Sequence, residues 1–292
     1  MWAEAVAFAR AHRREATLPA GLVRLSGGFN NEVFAIGDTC VKLYRVDERR
    51  RWEREWRALR FVAERDGDLA PRPLWYEPQG SPPAVVMSIL PGVPLSERPI
   101  GPTELSALGD MVLATHSLPE GAAYPTTVIG TPVRCVGEIE LTVARLTTCD
   151  DDPLARESLR CLRPWLHSDD PAALLRPAPP AFSRSDANLG NCLWDGQRMR
   201  AVDFEYAGTI DVSFDLANLV EAETSHRVSD EAWRPILNRF AMDAQERARF
   251  RAARRLMARF WLTIFWRAHL GRPEARIAAQ MRRVAAVDGW TR

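Results

Sequence analysis

The sequence has almost no lysine. Lys42 is the only one in 292 residues, and the other 38 of its 39 basic side chains are arginine. Arginine replaces lysine wherever a solvated positive charge suffices, but not where a compact ammonium must fit a tight site. A chain so biased keeps lysine where replacement is hardest, which marks Lys42 as a candidate functional residue. An excess of one charge is missing too: 39 basic against 38 acidic residues leave a formal net charge of +1. That balance gives no electrostatic footprint for a nucleic acid or an anionic membrane as partner. No apolar run approaches the about 20 residues of a membrane-crossing helix, and the charged first fifteen positions do not read as a signal peptide. The cysteines, Cys40, Cys135, Cys149, Cys161 and Cys192, are odd in number and contain no C-x-x-C pair. A disulfide framework and a zinc site are therefore not expected, and free thiols point to a reducing, cytoplasmic location.

What is present is ordinary globular material, 46% hydrophobic and 26% charged, long enough for about two domains with a core that needs no staples. A helix is expected over residues 3–15. Short strands follow at 22–25, 32–36 and 40–44, joined by Ser26-Gly27-Gly28 and Gly37-Asp38 in the manner of an antiparallel meander. Trp52, Trp56, Leu59 and Val62 at helical spacing predict a helix over 47–64. Strands are expected near 74–76 and 84–89, before Leu90-Pro91-Gly92 breaks the pattern. Beyond residue 100 the periodicity is helical over 103–117, 136–148, 153–167, 211–224, 229–240, 243–270 and 273–287. One polar island, 181–207, interrupts it, and Asp195-Gly196 between apolar runs there predicts a hairpin. The expected class is α+β, with a small β-rich part (1–90) and a larger, mostly helical part (91–292).

Three features carry chemistry. Ser26-Gly27-Gly28-Phe29-Asn30-Asn31 lets backbone N–H groups approach phosphate oxygens, although read alone it is also an ordinary hairpin turn. Lys42 on the next strand could reach such phosphates if a carboxylate orients it. Glu55 borders the apolar stripe of the following helix and is the better partner, whereas Glu53 sits on a solvated face among arginines. In the island, Asp186 is followed by Asn191 and, past the hairpin, by Asp203. Carboxylate and amide oxygens suit Mg²⁺, and one Asp that orients a hydroxyl beside an Asn and a second Asp that hold metal is a phosphoryl-transfer layout.

The ordered set Gly27-Gly28-Phe29-Asn30-Asn31-Glu32-Val33-Phe34, Val41-Lys42-Leu43-Tyr44, Arg54-Glu55-Trp56, Val86-Met87-Ser88-Ile89-Leu90-Pro91-Gly92 and Asp186…Asn191…Asp203 resembles the aminoglycoside phosphotransferase and choline kinase family. The resemblance implies a bilobal protein-kinase-like fold, with ATP and Mg²⁺ as cofactors and residues 1–90 as the nucleotide-binding lobe. It implies that Gly27, Gly28, Phe29, Asn30, Lys42 and Glu55 serve the phosphates, that Met87 borders the adenine, and that the backbones of Ser88 and Leu90 pair with its edge. Asp186 would be the catalytic base, with Asn191 and Asp203 on the metal. The acceptor would be a hydroxyl of a small molecule, cationic if it is an amino sugar or, alternatively, choline or ethanolamine. Asp150, Asp151, Asp152, Asp169, Asp170, Glu221 and Glu223 are the carboxylates available to such a cation, and Phe260 to Trp266 an aromatic surface for it, although both have plainer readings as caps and core. Arg184-Ser185 stands where the family usually has His-Gly, which leaves a nucleotide-binding pseudokinase as the alternative of another class.

Overall fold

The computed structural model of the chain describes residues 1–25, 31–47, 49–127, 131–149, 151–267 and 270–290. They divide into two compact units, residues 1–124 with 182–208, and residues 125–181 with 209–292.

The first unit opens with α1 (Trp2–His12), β1 (Leu22–Arg24), β2 (Asn31–Ile36), β3 (Thr39–Tyr44), α2 (Arg51–Ala63), β4 (Pro73–Glu77) and β5 (Ala84–Ser88). The strands form one antiparallel sheet in the order β1-β2-β3-β5-β4. Residues directly opposite in such a sheet share a face, and neighbours along a strand alternate. Val41 and Leu43, with Phe34, Ala84, Val86 and Leu22, face α1 and close a core with Val6 and Ala9. Cys40, Lys42 and Tyr44 therefore lie on the other face, with Met87 and Val85 opposite Cys40 and Lys42. That face is covered by α2, whose Trp52, Glu55, Ala58, Leu59 and Val62 are buried. All six residues of β3 are buried, so the register of the central strand drives the lone lysine inside.

Helix α2 starts at Arg51 rather than at residue 47. Arg50 has φ +48, and a left-handed residue cannot continue a right-handed turn. The rest of the unit comprises β6 (Val93–Pro94), α3 (Pro102–His116), β7 (Pro180–Ser183), which leads into it, β8 (Cys192–Trp194) and β9 (Met199–Ala201). The expected Asp195-Gly196 hairpin joins β8 and β9, with Gly196 at φ +99. Asp195 Oδ1 accepts from Gln197 N and Arg198 N at 2.8 and 2.7 Å. These backbone donors, led by Arg198 and joined by the Arg200 guanidinium, hold its carboxyl at about 2. A third strand that the pattern did not predict, β6, pairs with β8. Gly92 permits it: its φ is +135, and a Cβ there would come within 3.0 Å of the Trp194 backbone.

The second unit holds α4 (Pro132–Thr147), α5 (Pro153–Leu166), α6 (Asp169–Leu174), β10 (Gly208–Asp211), α7 (Val212–Glu221), α8 (Asp230–Leu237), α9 (Ala244–Phe265) and α10 (Glu274–Asp288). Six of its helices begin where Thr131, Asp152, Ser168, Asp211, Ser229 or Asp243 accepts from first-turn N–H groups. On α9, which packs against α4, α7 and α10, Leu262 and Phe265 are buried, and just past its end Trp266 Nε1 donates to Ser158 Oγ at 3.1 Å. No helix among the described residues is long and apolar enough to cross a membrane.

Candidate functional site

Lys42 is 6% exposed. Its Nζ lies 2.6 Å from Glu55 Oε2, 2.7 Å from Asp203 Oδ1 and 3.5 Å from Glu205 Oε2. Burial opposes the charge, but the carboxylates of Asp203, Glu55 and Glu205 outweigh it and hold the ammonium above its ordinary range. Glu55, on the covering helix, is fastened by more than the lysine: Tyr44 OH donates to Oε2 at 2.5 Å and Phe204 N to Oε1 at 3.2 Å. Burial raises the Glu55 carboxyl, and Lys42 only partly offsets it. The Tyr44 hydroxyl, buried against that carboxylate, is pushed well above its usual value.

Asp186 and Asn191 lie in the loop between β7 and β8. Asp186 Oδ1 accepts from Asn188 N at 3.0 Å, and Oδ2 accepts from Asn191 Nδ2 at 2.6 Å. The Asn191 amide also stands 3.5 Å from Asp203 Oδ2, which joins the loop to the lysine cluster. Asn191 closes a 3-10 turn, Leu189–Asn191, capped by Asn188, whose Oδ1 accepts from Gly190 N at 2.9 Å. Burial and then, against the pull of Arg184, the neighbouring Asp203 raise the Asp186 carboxyl above its ordinary value. For Asp203 the balance is reversed: burial raises it, but Lys42 outweighs burial and the net shift is downward.

Five sequence candidates, Lys42, Glu55, Asp186, Asn191 and Asp203, are thus in one hydrogen-bonded cluster. Met87 shares the lysine's face of the sheet, one cross-strand pair away. Ser88 N donates to Arg72 O, and Ser88 Oγ accepts from Arg72 N, both at 2.9 Å. The backbone N–H of Leu90 has no hydrogen bond among the described residues. Gly27, Gly28, Phe29 and Asn30 lie outside the described residues.

Other members of the site were not named as site residues by sequence, where Arg184 and Ser185 stood out only as a departure from His-Gly. Glu205 is buried and bonded to Arg51 and Asn31. Arg184 NH1 lies 3.4 Å from Asp186 Oδ2. Ser185, where the family usually has glycine, has φ +57 and a buried hydroxyl without a partner among the described residues. The pairings of Glu205 have no local signal: Arg51 is 154 positions away and Asn31 174. The acidic residues named as counter-charges for a cation are largely occupied in the second unit. Asp152 pairs with Arg272 at 2.8 Å, Asp170 with Arg255 at 2.6 Å, Glu221 with Arg254 at 2.5 Å and Arg283 at 2.7 Å, and Glu223 with Arg276 at 2.5 Å. Asp151 and Asp169 are exposed, and Asp150 lies outside the described residues.

Among curated proteins none matches the chain. Solved structures do. A choline/ethanolamine kinase family protein from Mesorhizobium loti is 20% identical, with a TM-score of 0.62 over 99% of this chain and 95% of that one. A ternary complex of the aminoglycoside phosphotransferase APH(2")-IIa with streptomycin and ATP is 17% identical, with a TM-score of 0.61 over 98% and 96%. Choline kinase from Cryptosporidium parvum is 13% identical, with a TM-score of 0.62 over 99% and 95%. At these identities the likeness is one of fold, the α+β protein-kinase-like fold of small-molecule phosphotransferases. Membership is carried by sequence instead: residues 21–257 match the profile of the phosphotransferase enzyme family, and the chain belongs to it.

Proposed function

We propose that the protein transfers the γ-phosphate of ATP to a hydroxyl of a small molecule, with Mg²⁺ as cofactor. The observation that carries this reading is the single cluster formed by Lys42, Glu55, Asp186, Asn191 and Asp203. Lys42, oriented by Glu55, binds the nucleotide phosphates. Met87, Ser88 and Leu90 border the base, for which the uncommitted Leu90 N–H is a donor, and Gly27, Gly28, Phe29 and Asn30 form the phosphate loop. Asp186 accepts the proton as the acceptor oxygen bonds to the γ-phosphorus and the bond to the bridging oxygen of ADP breaks. A carboxylate raised above its ordinary value is better matched to that task. In this reading residues 1–90 serve the nucleotide and 91–292 carry the catalytic loop and the acceptor.

The donor set fits Mg²⁺. Asp203 and Asn191 offer hard oxygens, and the four carboxylates of Asp186, Asp203, Glu55 and Glu205 outnumber Lys42, Arg51 and Arg184, of which Arg51 is shared with Asp47. Asn191 and Asp203 would hold the ion, which when bound neutralises charge on the transferring phosphates. The five cysteines are all free thiols, which supports a reducing compartment and hence the cytoplasm.

The aminoglycoside-type acceptor is the first reading. A choline or ethanolamine acceptor is favoured by one observation, that Asp152, Asp170, Glu221 and Glu223 are paired with arginine rather than left for a polycation. Incubation with Mg-ATP and a panel of amino alcohols and aminoglycosides decides between them through acceptor-dependent ADP release. Tight ATP binding with release for none of the panel would favour a pseudokinase.

A further inference from the structure

Three consecutive residues, Asp203, Phe204 and Glu205, are each fastened to a different part of the first unit. Asp203 Oδ1 accepts from Lys42 on β3 at 2.7 Å, and Phe204 N donates to Glu55 on α2 at 3.2 Å. Glu205 Oε1 accepts from Arg51 NH1, in the first turn of α2, at 3.1 Å. Its other oxygen, Oε2, accepts from Asn31 Nδ2 at the start of β2. Both anchors are themselves held: Arg51 NH2 lies 2.7 Å from Asp47 Oδ2, and Asn31 Oδ1 accepts from Arg45 N at 3.3 Å. Glu205 is 1% exposed and Arg51 3%. At the head of the segment Asp203 has φ +66. That conformation is strained for a non-glycine residue and persists only where the surroundings over-determine it.

We infer that Glu205 is a positioning residue: anchored by Arg51 and Asn31, it holds the Asp203 backbone in its left-handed conformation and so fixes the carboxylate that faces Lys42. The carboxylate oxygens of Glu55, Asp203 and Glu205 lie within 4.8 Å of one another, a spacing that a cation could also use. The Lys42 ammonium already stands among them, and both oxygens of Glu205 are committed. Glu205 therefore acts through Asp203 and not as a metal ligand. The anchoring stands on geometry alone; its consequence for metal rests on the proposed function, in which Asp203 holds Mg²⁺.

The test uses the full chain with Asn31→Ala, Arg51→Lys and Glu205→Gln. Amide hydrogen exchange over residues 203–206 reads the anchoring, and Mn²⁺ binding in the presence of ADP, followed by electron paramagnetic resonance, reads its consequence. Exchange should quicken at 203–206 while β3 and β5 stay protected. Mn²⁺ binding should weaken by roughly 10- to 100-fold, the usual effect of losing a group that orients a ligand. Asn31→Ala and Arg51→Lys keep the buried charges balanced, so they decide the matter even if Glu205→Gln does not fold. If these two leave both readouts at wild-type values, the inference is overturned; if Glu205→Gln alone then weakens Mn²⁺ binding, Glu205 is itself a ligand. A wild-type chain that binds no Mn²⁺ with ADP would overturn the proposed function, while exchange at 203–206 would still decide the anchoring.

Discussion

At the scale of single residues the site is a problem of buried charge. Lys42 fits because an ammonium is compact. Its three carboxylate neighbours lie within 3.5 Å, and a planar guanidinium fork cannot take the same place without moving them. Lys42→Arg should therefore lower ATP turnover strongly although the charge is kept, and a mutant with wild-type steady-state rates would refute the fit argument. Asp186 has the opposite problem, because burial and Asp203 make its negative charge unfavourable. Asp186→Asn should slow single-turnover phosphate transfer by roughly 10²–10⁴-fold, the share of general base catalysis. The same substitution should make the Tm, relative to wild type, rise with pH toward neutral. The sign follows from linkage. A carboxyl raised in the folded state contributes stability that is complete below its unfolded value of 3.8 and is lost as pH rises through the folded one. The advantage of Asn over Asp should thus be largest at neutral pH and shrink on acidification. An advantage that grows toward low pH would contradict it.

Elements were legible in proportion to how local their causes are. The strands at 22–24, 31–36 and 39–44, the Asp195-Gly196 hairpin and the main helices follow from period and turn chemistry, which a few neighbouring residues determine. The start of α2 was missed because Arg50 adopts a left-handed conformation that no pattern demands of arginine. Helix α6 was missed because its six residues are too few to show a period. β6 was missed because a two-residue strand exists only through its partner β8, about a hundred positions on. In the site, Lys42, Glu55, Asp186, Asn191 and Asp203 stood out by chemistry and order, but the links of Glu205 to Asn31 and Arg51 became visible only once the fold had brought them together. The dependence of β6 on Gly92 gives a prediction for the element. Gly92→Ala would meet both the φ of +135 and the 3.0 Å approach to Trp194, and should cost about 1–3 kcal/mol. Urea unfolding would measure it, and a loss under about 0.5 kcal/mol, the size of an ordinary surface substitution, would show that β6 shifts without strain.

For the molecule as a whole, carboxylates held by backbone N–H groups, by arginine and by Lys42 set the response to acid. Among the described residues Glu104, Asp152, Asp170, Asp195, Asp203 and Asp230 are held below their ordinary values, while Glu55 and Asp186 are raised. Each lowered group contributes stability that is present above its unfolded value and lost as pH falls through the folded one. Below about pH 4 the stabilisation that Glu55 and Asp186 gain on protonation is complete, so the six lowered groups decide there and the net effect is a loss. The Tm should fall as pH drops from about 4 toward 2, and calorimetry that finds it flat there would refute the accounting. The scarcity of lysine has a further, analytical consequence. Apart from the α-amine of Met1, the chain offers an amine-reactive reagent one target, and that target is enclosed between β3, α2 and Asp203. Acylation of Lys42, counted as a single mass increment, would then be a clock for the opening of the site: slow in the native protein, faster as denaturant loosens it, and slowed again by any ligand that keeps it shut.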